Sequence, residues 1–192
     1  MHVIAPIKFG VPSKSDGLLD VYVHPHRWAR ERTSTGTERL VIGPKSGHVD
    51  LMLNLIDAMR GPFGILYVLT VPRCDHKQGR YQSESPCEKW QLVSFLEEFR
   101  DYFEKDGRHH LWLLGLGDKS QIIYDNHNVL FAYGPLSAFE RVLEDAGLTR
   151  GEVPAPAPHV HVYAEQFDAD EDRIFAAHHW KWFPLVQDFD DP

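Results

Sequence analysis

The chain has little cysteine. Cys74 and Cys87 are the only two in 192 residues, too few for a disulfide-built secreted scaffold and without the CxxC spacing of a thiolate metal site. Basic charge is also short: 20 Lys and Arg against 28 Asp and Glu leave a formal charge of −8. That balance lacks the positive footprint that nucleic acid or an anionic membrane surface requires. No apolar run reaches the roughly 18 residues of a membrane helix. The opening MHVIAPIKFG lacks a basic segment followed by a long apolar stretch. These absences set the expectation of a soluble, cytoplasmic protein that binds neither nucleic acid nor membrane. Catalytic signatures are missing too: no GxSxG, HExxH or GxxxxGK[ST] occurs. The segment GPKSG at 43–47 reads as a turn and helix cap rather than a phosphate loop.

What the chain does have is histidine, twelve in all. Full protonation would take the charge from −8 to +4, most of it near the ordinary imidazole pKa of about 6.5. The run PHVHVY at 158–163 is the most pointed use. Strand alternation places His159, His161 and Tyr163 on one face and Val160 and Val162 on the other. Zinc or another divalent ion needs three or four converging N, O or S donors. His127 and Asp125, in a turn, are the expected partners of His159 and His161. His109, His110, His178 and His179 are further donors. The competing reading makes these histidines the wet or core edge of ordinary elements, and His178 a core histidine. Cys74, beside Asp75 and His76, reads as a surface-loop cysteine. HRWARER at 26–32 reads as a solvated basic turn, and EQFDADED at 165–172 as an acidic helix start rather than a calcium loop.

Periodicity supplies the elements. LLDVYVH at 18–24 and ERLVIG at 38–43 read as strands of one long-looped hairpin. Val49, Met52, Leu53, Ile56 and Met59 mark a helix from Ser46 to Arg60. FGILYVLTV at 63–71 and LWLLGLG at 111–117 read as strands covered on both faces. A polar loop fills 73–84. Ser85, Pro86 and Glu88 predict a capped helix start. QIIYD at 121–125 and VLFAYG at 129–134 complete a meander. Pro135 opens a helix on Leu136, Phe139, Val142 and Leu143. VPAPAP at 153–158 is stiff and extended, and a last helix from Asp168 carries Ile174, Phe175, His178 and Trp182 inward. Trp180, Trp182 and Phe183 read as a hydrophobic lid or an exposed interface patch.

The fold class is α+β: a single domain over 1–192 with a mixed or antiparallel sheet and about four helices. Residues 1–46 form an irregular β-bearing segment, 47–184 the αβ core and 185–192 an acidic tail. After residue 62 the order suggests a ferredoxin-like βαββαβ core; the alternative is a sheet between two helical layers. Three functions are compatible. The first and favoured one is a soluble cytoplasmic binding protein without catalysis, recognising a partner protein or small molecule, or a second copy in a homo-oligomer, through the aromatic C-terminal segment or the 73–86 loop. The second is a metal-dependent hydrolase using His159 and His161. The third is a small-ligand module on the sheet face carrying Tyr163.

Overall fold

Apolar residues at every second position build most of this molecule. The structure, a computed structural model, describes residues 6–14 and 18–186. In chain order the elements are β1 (Phe9–Pro12), β2 (Leu19–Val21), β3 (Arg27–Arg32), β4 (Glu38–Gly43), α1 (His48–Ile56), β5 (Phe63–Leu69) and β6 (Gly79–Ser83). Next come α2 (Lys89–Glu98), α3 (Arg100–Lys105), β7 (His109–Gly115), β8 (Ser120–Tyr124), β9 (Leu130–Tyr133) and α4 (Leu136–Asp145). The last are β10 (Thr149–Arg150), β11 (Val160–His161), α5 (Asp168–Ala177) and β12 (Trp180–Phe183). Nine strands form one sheet in the order β10-β3-β4-β9-β8-β7-β5-β6-β12. Every neighbouring pair is antiparallel except β10 with β3. A second, three-stranded sheet has the order β11-β1-β2. The fold is α+β, as the sequence predicts, with five α-helices rather than four.

One face of the large sheet carries the core. Leu40 and Ile42 of β4, Ile65, Tyr67 and Leu69 of β5, and Leu111 and Leu113 of β7 meet apolar side chains from all five helices. Each fully buried Leu, Ile or Phe contributes roughly 1.5–3 kcal/mol. In α4 the spacing of Leu136, Phe139 and Leu143 makes one apolar stripe. Helix α1 starts at Gly47, whose φ of 67° is left-handed, and has no side-chain cap. Glu104 of α3 accepts the Val49 N–H at 2.8 Å and satisfies one of the open donors at that helix start. The opposite face keeps only a small cluster, Ile123, Val129 and Phe131, with Val41, Trp112, Tyr133 and Val153 against it.

That asymmetry corrects the two-layer expectation. β5 and β7 read as doubly covered because both their faces are apolar, yet Leu66, Trp112 and Leu114 are only half-buried. The ferredoxin-like order is not realised. β6 and β7 are joined by α2 and α3 with β5 inserted between them, which is one split βαβ unit. No second such unit forms, because α4 leads to the two-residue edge strand β10.

Local corrections have local reasons. HRWARER is strand β3, paired with β4: Trp28 is buried while Arg27, Arg30 and Arg32 stay exposed, and Arg30–Glu38 and Arg39–Glu31 pair across the strands at 2.8 and 2.7 Å. The segment at 18–24 pairs with β1 instead. The loop at 73–84 contains β6, and α2 begins three residues later than predicted, with a capping box of Glu88 and Gln91. Trp182 is not on the last helix: with Trp180 it lies in edge strand β12, paired to β6. Residues 187–192 of the expected acidic tail lie outside the described residues. Among the described residues no helix is long and apolar enough to cross a membrane.

Helix α5 is fastened by a buried charge network. Arg108 is fully buried; its guanidinium donates to Asp106 at 2.8 and 3.0 Å, to Glu171 at 2.7 Å, to Asp168 at 3.0 Å and to the Ala164 carbonyl at 3.0 Å. Burial alone would lower the Arg108 pKa, but bonds to Asp106 and Glu171 outweigh it and raise the value. The network closes the chain that follows β11 onto the loop preceding β7.

Candidate metal centre

Three separate pieces of chain deliver three histidines to one place. His127 sits in the β8–β9 turn, which Asp125 builds. Asp125 Oδ1 accepts the backbone N–H of His127 at 2.9 Å and of Val129 at 2.8 Å. Its Oδ2 accepts from His127 Nδ1 at 3.1 Å. Burial would raise the Asp125 pKa, but the His127 bond and charge, the charge of nearby His110 and the Val129 N–H together lower it. The carboxylate therefore stays ionised, and His127 carries its proton on Nδ1.

His159 follows the proline-rich segment. Val153 packs against Phe131 and its neighbours, so the segment runs along the sheet face that lacks helices. His159 Nδ1 lies 3.0 Å from the Pro156 carbonyl. A carbonyl only accepts, so this ring also carries its proton on Nδ1. His161 arrives on β11, where it pairs in register with Phe9. The close approach here depends on Gly107. Its N–H donates to the Val162 carbonyl at 2.9 Å, and the Val162 N–H donates to the Lys8 carbonyl at 3.0 Å. A Cβ on Gly107 would stand 2.4 Å from that Lys8 oxygen and 3.2 Å from His161 Cβ.

The ligand atoms of His127, His159 and His161 all lie within 4.8 Å of one another. The Nε2 atoms of His127 and His159 face each other at 3.0 Å. With both Nδ1 atoms committed to other acceptors, the two Nε2 atoms are the coordinating positions left to these rings. Among the described residues His161 Nδ1 is buried without a hydrogen-bond partner. Its pKa is pushed down to about 4, first by burial and then by His127 and His159, so its ring is neutral at ordinary pH. This arrangement has the form of a cation site: three converging imidazoles, one backed by a carboxylate. Two nitrogens bound to one ion in tetrahedral geometry stand about 3.4 Å apart, so the pair needs to open by only a few tenths of an ångström.

Of the expected residues, His127, His159 and His161 come together, and Asp125 stands behind His127 rather than as a fourth ligand. Tyr163 does not join them: β11 is only two residues long, and the Tyr163 hydroxyl falls near Asp106, with its pKa raised chiefly by burial. His109 is buried and stacked on Tyr67 and Tyr102, on the helix side of the sheet. His178 packs against Phe95 and Trp180. His110, one step beyond the Leu111–Tyr124 pair, stands near enough to Asp125 and His161 to act on their charge.

Sequence reasoning missed the surroundings. A cleft of about 350 Å³ opens beside His127 and His159, with Val41, Phe131 and Val153 as an apolar lining and Arg39 and Glu31 at its rim. The only signal for Arg39 is alternation in ERLVIG, which puts it on one face with Val41. Lys8 is fully buried behind Asp125, donating to the Phe103 carbonyl at 2.9 Å and lying 3.7 Å from the Tyr124 ring centre. Burial lowers its pKa to about 7 against the pull of Asp125, Asp106 and Glu104. His24 donates to the His127 carbonyl at 2.8 Å and packs beside Phe9. Comparison with protein-family models, curated proteins and solved structures finds no match for the chain.

Proposed function

We propose that this protein is a divalent-metal enzyme, a hydrolase whose ion is held by His127, His159 and His161. The observation that carries the reading is the 3.0 Å approach of two Nε2 atoms with a third imidazole, that of His161, within reach. A shared proton reconciles two nitrogens; a metal ion uses all three. Three histidines leave a tetrahedral ion one open position, the arrangement of catalytic zinc rather than structural zinc. An ion held there by these three side chains would supply Lewis-acid activation of a water molecule for hydrolysis. The chain's own contribution is orientation. Asp125 fixes the His127 ring, the Pro156 carbonyl fixes His159, and burial keeps His161 unprotonated. The cleft at His127 and His159 supports the reading by giving a substrate access. Two free cysteines support a reducing, cytoplasmic setting.

Elemental analysis of the purified, untagged protein after incubation with zinc tests the proposal. About one equivalent of metal is expected, lost in a His127→Ala, His159→Ala double variant and retained in His178→Ala. Chelator-sensitive cleavage of chromogenic ester, amide or phosphoester substrates then identifies the bond. A parent that binds no metal overturns the reading and returns the protein to the class of non-catalytic partner-binding proteins.

A further inference from the structure

The cleft beside the histidines has two unlike ends. At one end stand His127 and His159; at the other is Arg39. The guanidinium carbon of Arg39 lies 4.3 Å from the centre of the Phe131 ring. Phe131 is two residues along β9 from Val129, which closes the His127 turn. A two-residue strand step spans roughly 7 Å, so the charge sits about that far down the sheet from the turn. Between the two ends the lining is apolar: Val41 and Phe131 from the sheet and Val153 from the proline segment.

Arg39 is held rather than loose. Its Nε donates to Glu31 at 2.7 Å, and Nη1 donates to the Tyr133 hydroxyl at 3.0 Å. Stacking on Phe131 fixes the plane of the group. Among the described residues those bonds leave the Nη2 protons without an acceptor, a donor edge of the kind that binds a carboxylate. The side chain is 18% exposed, so this edge works partly shielded from water, where a charged hydrogen bond discriminates better than on an open surface.

We infer that the cleft takes a small amphipathic carboxylate: an anionic group on Arg39, a short apolar body over Val41, Phe131 and Val153, and a polar group at the histidine end. The inference rests on the metal reading, which supplies the contact at that end. It assigns Arg39 as the specificity determinant and Glu31, which occupies Nε, as the competitor for the charge of the same guanidinium.

The test uses zinc-loaded full-length protein, with metal content measured first, and two probes of similar length. One is benzohydroxamic acid carrying a para carboxylate; the other carries a para methyl group. Calorimetric titration is expected to show the carboxylate probe binding about tenfold more tightly, the scale of one charge-assisted contact. Arg39→Gln is expected to abolish that preference while leaving zinc content unchanged. Glu31→Gln, at an exposed position that leaves the fold intact, is expected to increase the preference by removing the competitor. Equal binding of both probes to a fully zinc-loaded parent overturns the carboxylate assignment and leaves the metal site standing. Failure to load zinc overturns the metal reading, and the inference falls with it.

Discussion

Asp125 holds His127 through both of its oxygens. One accepts the His127 and Val129 backbone N–H groups at 2.9 and 2.8 Å, and the other accepts from the ring Nδ1 at 3.1 Å. The turn and the tautomer thus depend on one carboxylate. Asp125→Asn keeps an oxygen for the backbone donors but offers the ring an NH2 group, which favours the proton on Nε2. Zinc affinity is expected to fall 10–100-fold with little change in stability. Competition against a chromophoric chelator measures it, and an unchanged affinity would refute the tautomer argument.

At Gly107 the loop before β7 packs directly against the backbone beside β1 and β11. In Gly107→Ala the new Cβ meets the Lys8 carbonyl, and His161 is the next atom in its way. Overpacking against backbone costs about 1–3 kcal/mol. A lower thermal midpoint is therefore expected, together with weaker zinc binding because β11 must shift. Gly64→Ala is the contrast: its nearest neighbour would be 3.8 Å away, and its midpoint is expected to change little.

Removing Arg108 leaves Asp106 and Glu171 buried without their cation. Arg108→Met is expected to destabilise by about 3–5 kcal/mol, the range for breaking a buried ion pair from one side. Urea unfolding reads this directly. A loss below about 1 kcal/mol would show that water reaches the two carboxylates and that the network does not fasten α5.

Two buried bases contribute to the pH dependence of stability in opposite parts of the range. His48, stacked on Tyr124, has its pKa pushed down to about 3, first by burial and then by the charges of Lys8 and His24. Between about pH 3 and 6.5 the unfolded chain therefore binds a proton that the folded one refuses, and stability falls as pH drops through that window. Lys8 behaves likewise between about 7 and 10.5: stability rises as pH increases through that range. Each group contributes at most about 1.4 kcal/mol per pH unit. His48→Phe is expected to flatten the acid limb of a stability profile and Lys8→Met the alkaline limb. Limbs unchanged in these variants would assign the pH dependence to other groups.

The charge swing read from twelve histidines is correspondingly smaller in the folded protein. His24, His48, His109, His161 and His178 all have lowered pKa values, each mainly through burial. Composition counts imidazoles; only packing decides which of them meet water.

The meander of β7, β8 and β9, the stripe of α4 and the run of helix α1 were legible because each is written in a local period. Alternating or 3.6-residue spacing fixes which side chains share a face without reference to the rest of the chain. Strand β3 was not legible: its outward arginines look like a solvated turn until the facing carboxylates of β3 and β4 are known. Strand β12 was hidden for a similar reason, since Trp182 continues the four-residue spacing of Ile174 and His178 and so reads as a further turn of the helix.

The site divides the same way. The sequence by itself determined that His159 and His161 share a side of their segment and that Asp125 and His127 share a turn, because neighbours along a chain are neighbours in space. Tertiary structure alone decided that the turn and the strand meet, 32 residues apart at His127 and His159, and that Tyr163 falls away from them. It also brought Arg39, from β4, to the same cleft. Such meetings depend on strand register and on the path of the proline segment across the sheet. Both are set by the summed packing of many side chains, which no single stretch of sequence records.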